Sequence, residues 1–297
     1  MSENSIRYLL GIDGGGTKTS FLLTDLTEKT IRHCTLGASN PINVGIRTAQ
    51  DVLQKGILQI CDNIPFEEIS VFAGIAGSAA TEFRSELNRF LASFSFGRFA
   101  NGSDTDSVLQ LALNGNDGVC VIMGTGIAAF TQSDGARYRT GGWGYLIDKG
   151  GSGFHIGSDA LASAYACLDG RGGSELILDL VKQKTGTALS DAIGNIYAEG
   201  AAGIAAFAPV VFEAYRQGDQ HAQTILRRNA QEAASIINTA RNKLQNKKAK
   251  TVLCGGLCKQ KDILHPLLMQ YLQSDTPLLF SEAPTVLGAI ALAKSNI

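Results

Sequence analysis

The segment with the clearest chemical potential is a short apolar strand that runs into an aspartate and three glycines. Asp13 ends the apolar stretch 8–12 and is followed by Gly14, Gly15 and Gly16. Glycines lack Cβ atoms, so their backbone amides can approach an anion closely. A carboxylate at the end of a strand can hold the Mg²⁺ of a nucleotide. The pattern therefore indicates a phosphate loop, although a plain hairpin turn explains a run of glycines equally well.

The residues after these glycines exclude two common phosphate motifs. Thr17 and Lys18 add a hydroxyl group and a cation, but their order differs from the Gly-Lys-Ser/Thr of a Walker A loop. Residues 19–25 have the character of a strand, whereas a Walker A loop and a dinucleotide-binding glycine motif both lead into a helix. The glycines therefore form a loop between two strands.

A pair of aspartates stands at the start of a predicted helix over 105–113. Asp104 and Asp106 follow Ser103, and serine and aspartate are good helix caps. A carboxylate at a helix start can also accept the proton of an alcohol that attacks a phosphoryl group. Capping and general-base catalysis both remain open from the residues alone, and one aspartate could do both.

Two further glycine pairs follow predicted strands in the second half of the chain. Gly124-Thr125-Gly126 could form a second phosphate loop or an ordinary β-turn. Gly255 and Gly256 could let an adenosine lie against the backbone, or could make a plain turn between a strand and a helix. Neither pair decides between these interpretations alone.

Residues 141–153 form the most unusual segment, because six glycines surround the only tryptophan of the chain, Trp143. A rigid aromatic ring beside flexible loops and the polar side chains of Asp148 and Ser152 suits a small polar ligand such as a sugar. The alternative is a linker, but a linker rarely contains a tryptophan. Asn40 follows a strand, and its amide could bind a hydroxyl group or form an Asx turn.

The composition limits the classes of function. The 297 residues are 44% hydrophobic and 18% charged, with a formal net charge of −1. This is typical of a globular protein with room for two modest domains or one large domain. The sequence has no basic stripe, so we do not expect nucleic acid to be a partner.

Compartment and membrane association are also constrained by the sequence. Six irregularly spaced cysteines complete no metal motif and indicate reduced thiols in a cytoplasmic protein. Residues 1–7 are polar, and the longest apolar stretch, 201–212, is interrupted by Pro209. We therefore expect neither a signal peptide nor a membrane-spanning helix.

The predicted elements follow one order twice, which indicates a duplicated α/β fold with a ligand cleft between two lobes. A polar turn at 114–118 is the predicted boundary. The predicted strands are 6–13, 17–25, 30–36, 69–75 and 96–101, then 119–123, 128–132, 137–140, 251–254 and 277–280. The predicted helices are 46–62, 79–94, 105–113, 157–168, 175–184, 188–197, 203–217, 219–244, 260–273 and 285–295.

Taken in chain order, these motifs resemble the N-acetylglucosamine kinase family, within the BadF/BadG/BcrA/BcrD group of the actin-like ATPase superfamily. The resemblance covers nearly the whole chain. It implies an α/β fold of the two-lobed actin-like ATPase kind, which is a duplicated ribonuclease H-like fold with an interlobe cleft. Residues 1–115 and the C-terminal helix 284–297 would form the N-terminal lobe, and residues 116–283 the C-terminal lobe.

The resemblance implies ATP- and Mg²⁺-dependent phosphorylation of an amino sugar, which would be N-acetylglucosamine or a close relative such as N-acetylmuramate or glucosamine. We also expect a cytoplasmic homodimer. Asp104 would be the catalytic base, and Asp13 would position the metal. ATP would contact Gly14, Gly15, Gly16, Thr17, Lys18, Gly124, Thr125, Gly126, Gly255, Gly256 and Gly288, and the sugar would contact Asn40, Gly77, Asp104, Trp143, Gly144 and Asp148.

One position departs from the pattern of the family that the chain resembles. Relatives have an Asp-Glu-Gly sequence where this chain has Asp148-Lys149-Gly150, so a cation replaces an acid. This change could favour an acidic sugar such as N-acetylmuramate, whose lactyl carboxylate could pair with Lys149.

Three alternatives remain at the sequence level. The wider group includes ATPases that activate radical dehydratases through a shared iron–sulfur cluster, but Cys120 and Cys167 lie in no cluster motif. A non-catalytic sugar-binding protein is possible if Lys149 has disabled the site. Related sugar-kinase families include repressors, but the first predicted strand starts near residue 6, so we expect no DNA-binding helix pair. The zinc-binding cysteine cluster of another sugar-kinase family is missing, so we expect no structural zinc.

Overall fold

The computed structural model describes residues 5–78, 81–273 and 278–297. The chain divides into two compact units: the first comprises Met1–Gly115 and Ala283–Ile297, and the second comprises Asn116–Glu282. Each unit contains a five-stranded sheet of mixed direction with helices packed against it.

Strands and helices alternate through much of the chain. The described strands are β1 (Tyr8–Gly14), β2 (Thr19–Asp25), β3 (Thr30–Leu36), β4 (Ile69–Ile75), β5 (Arg98–Gly102), β6 (Gly118–Met123), β7 (Ile127–Ser133), β8 (Ala136–Gly141), β9 (Thr251–Cys254) and β10 (Leu278–Ser281). The described α-helices are α1 (Pro41–Val44), α2 (Ile46–Ile60), α3 (Thr81–Ala92), α4 (Asp104–Leu113), α5 (Gly153–Leu168), α6 (Glu175–Thr185), α7 (Leu189–Ala198), α8 (Gly200–Ala205), α9 (Ala208–Arg216), α10 (Gln220–Asn242), α11 (Lys261–Met269) and α12 (Val286–Ser295). Short 3₁₀ helices, Phe66–Glu68 and Gly256–Gln260, precede β4 and α11.

The two sheets have the same internal order. The first sheet runs β3-β2-β1-β4-β5, and the second, read from its other edge, runs β8-β7-β6-β9-β10. When the strands of each unit are numbered from one, both orders are 3-2-1-4-5. In each unit, the first three strands along the chain form antiparallel pairs. The fourth strand pairs parallel with the first, and the fifth pairs parallel with the fourth. Parallel pairs need a crossover, which α3 supplies between β4 and β5. The predicted duplicated α/β architecture is thus confirmed.

The first strand is buried on both faces, as its unbroken apolar run predicts. Leu10 and Ile12 belong to the core that includes residues of α2 and α3, whereas Leu9 belongs to a second core with residues of α12. Close packing of α12 requires glycine at two points. A Cβ atom on Gly11 would lie 2.8 Å from the Val286 carbonyl oxygen, and one on Gly288 would lie 1.8 Å from a carbonyl oxygen of α4.

Most predicted strands and helices are confirmed to within a few residues. The predicted helix 203–217 is wrong, because α8 and α9 replace it. Pro209 lies in the first turn of α9, where its missing N–H group is tolerated, whereas a continuous helix would need that group. Helix α5 begins four residues earlier than predicted, because Ser152 caps it by accepting from the His155 amide. Residues 79, 80 and 277, which belong to two predicted elements, lie outside the described residues.

Helix length and composition bear on membrane association. Among the residues that the structure describes, none of the helices combines the length and the apolar character that crossing a bilayer requires.

Candidate active site

A half-buried aspartate lies near the end of the central strand of the first unit. Asp13 is the last but one residue of β1, and its carboxylate accepts a hydrogen bond from the Thr285 hydroxyl group at the start of α12. Burial raises the pKa of Asp13, the Thr285 hydrogen bond lowers it, the charge of Asp104 raises it and the charge of Lys18 lowers it. The net shift is upward, so a cation bound here would favour the ionised carboxylate.

The glycines after Asp13 form the hairpin between β1 and β2. The Gly15 amide donates to the Lys18 carbonyl oxygen over 2.9 Å, and residues 16–18 are exposed. None of the three glycines has a left-handed φ. Gly14 is needed for space, because a Cβ atom there would lie 2.2 Å from Ser39 Oγ and 2.6 Å from Ile75 Cδ1. A Cβ atom on Gly16 would lie 2.9 Å from Nδ2 at the end of the Asn43 side chain. The hairpin geometry is confirmed, and phosphate binding by it stays a prediction.

The structure separates the roles of the two aspartates at the start of α4. The Asp106 carboxylate accepts hydrogen bonds from the Ser103 amide over 2.9 Å and from the Ser103 hydroxyl group over 3.0 Å. Asp106 therefore closes the helix start. Asp104 is the first residue of the helix, and burial raises its pKa, while the Thr105 amide lowers it and the charge of Asp106 raises it. Asp104 also accepts hydrogen bonds from its own amide and from the amide and hydroxyl group of Thr105. Proton transfer by Asp104 stays a prediction.

Asn40 and Gly77, both predicted to contact the sugar, lie together in the first unit. Asn40 caps α1, because its Oδ1 atom accepts from the Ile42 amide over 3.0 Å. Gly77 has a φ of +80°, and a Cβ atom there would lie 2.3 Å from Asn40 Oδ1. The Asx turn is therefore confirmed, and the Asn40 Nδ2 group is the part of the side chain that could donate to a hydroxyl group.

In the second unit, the loop between β6 and β7 rests on the start of α5. The Gly153 amide donates to the Gly124 carbonyl oxygen over 2.7 Å, and the Phe154 amide donates to the Thr125 carbonyl oxygen over 3.1 Å. A Cβ atom on Gly124 or Gly126 would meet nothing within 4 Å, and neither glycine has a left-handed φ. The chain itself does not require glycine at these two positions, whereas a closely approaching ligand would.

The tryptophan segment begins with an exposed ring and a tight turn. Trp143 is 64% exposed. The Gly144 amide donates to Asp148 Oδ2 over 3.2 Å, and the Asp148 amide donates to the Gly144 carbonyl oxygen over 2.9 Å. The structure thus brings three residues predicted to contact the sugar into one turn, followed by the exposed Lys149.

Two residues that fix these sites were missed by the sequence analysis. The His155 ring contacts the Asp148 carbonyl oxygen through Nε2 and the Ser152 hydroxyl group through Nδ1, each over 2.7 Å. Thr285 orients Asp13. Each carries a weak sequence signal: Thr285 precedes an apolar helix, as caps do, and His155 stands three residues after a capping serine.

The three remaining glycines predicted to contact the nucleotide differ in whether the fold itself requires glycine. Gly255 has a φ of +107°, and a Cβ atom there would lie 2.5 Å from the Met123 carbonyl oxygen, so the turn itself requires glycine. Gly256 faces open space, where a Cβ atom would meet nothing within 4 Å. Gly288 is buried, and the close packing of α12 accounts for it. Contacts of all three with a nucleotide remain predictions.

Comparison with known proteins adds a second line of information. The sequence matches the BadF/BadG/BcrA/BcrD ATPase family over residues 10–283. It is 29% identical to an N-acetylmuramic acid/N-acetylglucosamine kinase of Clostridium acetobutylicum, over 98% of this chain and 99% of that protein. It is 27% identical to an N-acetyl-D-glucosamine kinase of Dictyostelium discoideum, over 98% of this chain and 99% of that protein. A solved structure of a candidate N-acetylglucosamine kinase from Chromobacterium violaceum superposes with a TM-score of 0.77 at 25% identity, over 97% of this chain and 99% of that one.

Proposed function

Because this chain belongs to the BadF/BadG/BcrA/BcrD ATPase family, we propose that it is an ATP-dependent kinase that phosphorylates a hydroxyl group of an amino sugar, N-acetylglucosamine or a close relative. The observation that supports this proposal is that Asp104 and Asp106, at the start of α4, have different contacts. Asp106 closes the helix, which leaves the half-buried Asp104 for proton transfer.

Asp104 acts as the general base. Its carboxylate accepts the proton of the sugar hydroxyl group as the oxygen attacks the γ-phosphorus of ATP. The bond from that phosphorus to the bridging oxygen breaks, and ADP leaves. Burial raises the pKa of Asp104, which makes the ionised form a stronger base than an exposed aspartate. The amides of Thr105 and Asp104 lower the pKa against the effect of burial, because the N-terminal end of a helix favours negative charge.

Asp13 fits a role in holding Mg²⁺. Burial raises its pKa, the Thr285 hydrogen bond and the charge of Lys18 lower it, and the charge of Asp104 raises it, with a net upward shift that a bound cation would oppose. Thr285 fixes the carboxylate by donating to it. Mg²⁺, when bound with ATP, neutralises negative charge on the phosphate groups. The exposed Lys18 offers a further cation to the phosphates.

The glycine loops bind ATP in this proposal. The amides of the Gly14–Gly16 hairpin and of residues 124–126 contact phosphate groups, and Gly256 contacts the adenosine. Three of these glycines, Gly124, Gly126 and Gly256, face open space without a left-handed φ, which is the feature that supports close approach of a ligand.

The sugar contacts are Asn40 and Gly77 in the first unit and Trp143, Gly144 and Asp148 in the second. Asp148 uses Oδ2 to hold the Gly144 amide, so its second oxygen is the one that accepts from a sugar hydroxyl group. The exposed indole of Trp143 supplies an apolar surface for the carbon face of a sugar ring.

Substrate identity depends on Lys149. One relative is named for both N-acetylmuramic acid and N-acetylglucosamine, and the exposed Lys149 could pair with the lactyl carboxylate of N-acetylmuramate. We propose N-acetylmuramate as the acidic sugar to test first. A requirement for magnesium, a homodimeric state and a cytoplasmic location complete the proposal.

The test is ADP release from ATP and Mg²⁺ with N-acetylglucosamine, N-acetylmuramate, glucosamine, N-acetylmannosamine, glucose or no sugar. Turnover with one amino sugar that is lost in Asp104→Asn supports the proposal. Turnover without sugar would instead indicate an ATPase of the activator type. Sugar binding without turnover would indicate a non-catalytic binding protein.

A further inference from the structure

A cation–π pair lies on the tryptophan segment. The guanidinium carbon of Arg139 is 4.0 Å from the centre of the Trp143 ring, within the range of direct stacking. Arg139 is an exposed residue of β8, four positions before Trp143, and nothing in the proposed function uses it.

The backbone around the tryptophan does not by itself hold the ring. Trp143 lies between Gly142, with a φ of +74°, and Gly144, with a φ of +106°, and glycines have the widest conformational freedom. Most of the indole is exposed to solvent. A ring in such a position needs a side-chain partner to keep one orientation.

The backbone of Arg139 is held in place by the sheet. Its strand pairs antiparallel with β7, where Arg139 lies opposite Phe130. Lys243 also anchors this strand, because its Nζ atom donates to the Arg139 carbonyl oxygen over 3.0 Å and to Thr140 Oγ1 over 2.7 Å. The guanidinium therefore projects from ordered backbone and covers one face of the indole.

We propose that Arg139 is a positioning residue for the amino sugar, which holds the Trp143 ring so that its opposite face is presented to the sugar. The stacked pair is a property of the chain alone, whereas its use in sugar binding rests on the proposed function. A planar guanidinium stacks on an aromatic face better than an ammonium group does, so arginine is the favoured residue for this role.

The single tryptophan makes the proposal directly measurable, because tryptophan emission then reports Trp143 alone. The variants are Arg139→Ala and Arg139→Lys, with Arg137→Ala as a matched control. Arg137 is also an exposed cation of β8, and its Nε atom donates to Gln132 Oε1 over 3.3 Å. Fluorescence anisotropy and quenching by acrylamide are measured without sugar, and kcat and KM are measured with the best amino sugar.

We expect Arg139→Ala to lower the anisotropy and to increase quenching, because the ring moves more freely. KM for the sugar should rise about two- to fivefold, the equivalent of an exposed cation–π contact. The value of kcat should change less, because a platform for the sugar supports ground state and transition state alike. Arg139→Lys should lie between wild type and Arg139→Ala, and Arg137→Ala should match wild type.

Each other result overturns the proposal. Unchanged anisotropy in Arg139→Ala would mean that the guanidinium does not hold the ring. Lower anisotropy with an unchanged KM would mean that the sugar does not use the ring. An equal rise of KM in Arg137→Ala would assign the effect to surface charge. If the wild-type protein phosphorylates no sugar, the proposed function fails and the sugar-positioning role falls with it, while the anisotropy still reports whether Arg139 orders Trp143.

Discussion

Thr285, the residue at the start of the C-terminal helix, donates a hydrogen bond to Asp13, which lies 272 positions earlier at the end of the first strand. This bond ties the last segment of the chain to the most polar point of the central strand. It also lowers the pKa of Asp13 against the effect of burial. We therefore expect Thr285 to support the ionised form of Asp13 that a metal requires.

Thr285→Val tests this relationship, because valine keeps the shape and removes the donor. A hydrogen bond to a charged group is worth about 1.5–3 kcal/mol, so we expect activity at limiting Mg²⁺ to fall roughly 10- to 100-fold. Saturating Mg²⁺ should restore part of the loss. The measurement is the dependence of ADP release on Mg²⁺ concentration.

Thr27→Val is the matched control for this variant. It removes an exposed threonine hydroxyl group that donates to Asp25 over 2.6 Å, outside the proposed site. The dependence on Mg²⁺ should stay at the wild-type value. An equal change in both variants, or none in Thr285→Val, would contradict the role of Thr285.

Replacing Asp104 and replacing Asp106 should have clearly different effects on kcat. We expect Asp104→Asn to lower kcat by about 10²- to 10⁴-fold, the usual contribution of a general base. Asp106→Asn keeps a side-chain oxygen that can accept from the Ser103 amide, so kcat should fall less than about tenfold. The measurement is steady-state kinetics of both variants, and a larger loss in Asp106→Asn would reverse the assignment.

The sheets were predictable because their central strands carry strong local patterns. Residues 8–12 and 119–123 are unbroken apolar runs, and glycines follow within two residues of the end of each run. The repeat of strand, glycine turn and strand within each half then indicated the duplication. Local signals of this kind depend on neighbouring residues alone, so one sequence is enough to show them.

Contacts between distant residues were beyond the sequence. Thr285 reaches Asp13 because α12 packs against β1 at Gly11 and against α4 at Gly288. The sequence marked Gly11 only as a strand residue and Gly288 only as a ligand contact. The resemblance implied Asp104 as the catalytic base, whereas the hydrogen bonds that hold Asp106 against Ser103 could not be seen from the sequence. Helix caps can be listed from a sequence, but their geometry cannot.

Stability should depend on the charge of Asp104. Its pKa is raised from 3.8 by burial, so the unfolded chain loses the proton at a lower pH than the folded protein does. The folded state therefore pays a cost that is absent below the unfolded pKa, grows as pH rises to the folded pKa and stays constant above it. Asp104→Asn removes this cost.

We expect Asp104→Asn to have a higher Tm than wild type near neutral pH, and the difference should shrink below about pH 4. Thermal unfolding of both proteins across this range, without nucleotide or metal, is the measurement. A lower Tm for the variant at neutral pH would show that Asp104 makes favourable interactions that outweigh its burial.

A methyl group on a glycine that faces open space should leave the fold intact but impair ATP binding. Gly126→Ala adds a Cβ atom in open space without a left-handed φ, so we expect the stability to rise by about 0.4–1 kcal/mol. KM for ATP should rise, because the methyl group would meet a phosphate. Gly255→Ala should instead destabilise the protein, because its φ is +107° and the Met123 carbonyl oxygen is 2.5 Å away.

Gly194→Ala serves as the control for both glycine variants. Gly194 lies in α7 and also faces open space, so alanine should stabilise the helix without affecting KM for ATP. The measurements are Tm and KM for ATP in the three variants. An unchanged KM in Gly126→Ala would remove residues 124–126 from the proposed phosphate site.

Lys149 should set the preference between acidic and neutral amino sugars. Reversing its charge in Lys149→Glu replaces attraction for the lactyl carboxylate of N-acetylmuramate with repulsion. One exposed charge pair at about 4 Å is worth about 1 kcal/mol in water, so the ratio of kcat/KM for N-acetylmuramate over N-acetylglucosamine should fall at least about tenfold. Added salt should reduce the difference, because exposed charges are screened.

Lys248→Glu is the matched charge reversal, because Lys248 is exposed in the same unit and outside the proposed site. It should leave the ratio of kcat/KM unchanged, since a general effect of net charge would move both variants alike. A ratio in Lys149→Glu that equals the wild-type value would exclude Lys149 as the carboxylate partner. Any preference between the two sugars would then have to come from the shape of the site around Trp143 and Asp148, because neither side chain carries a positive charge.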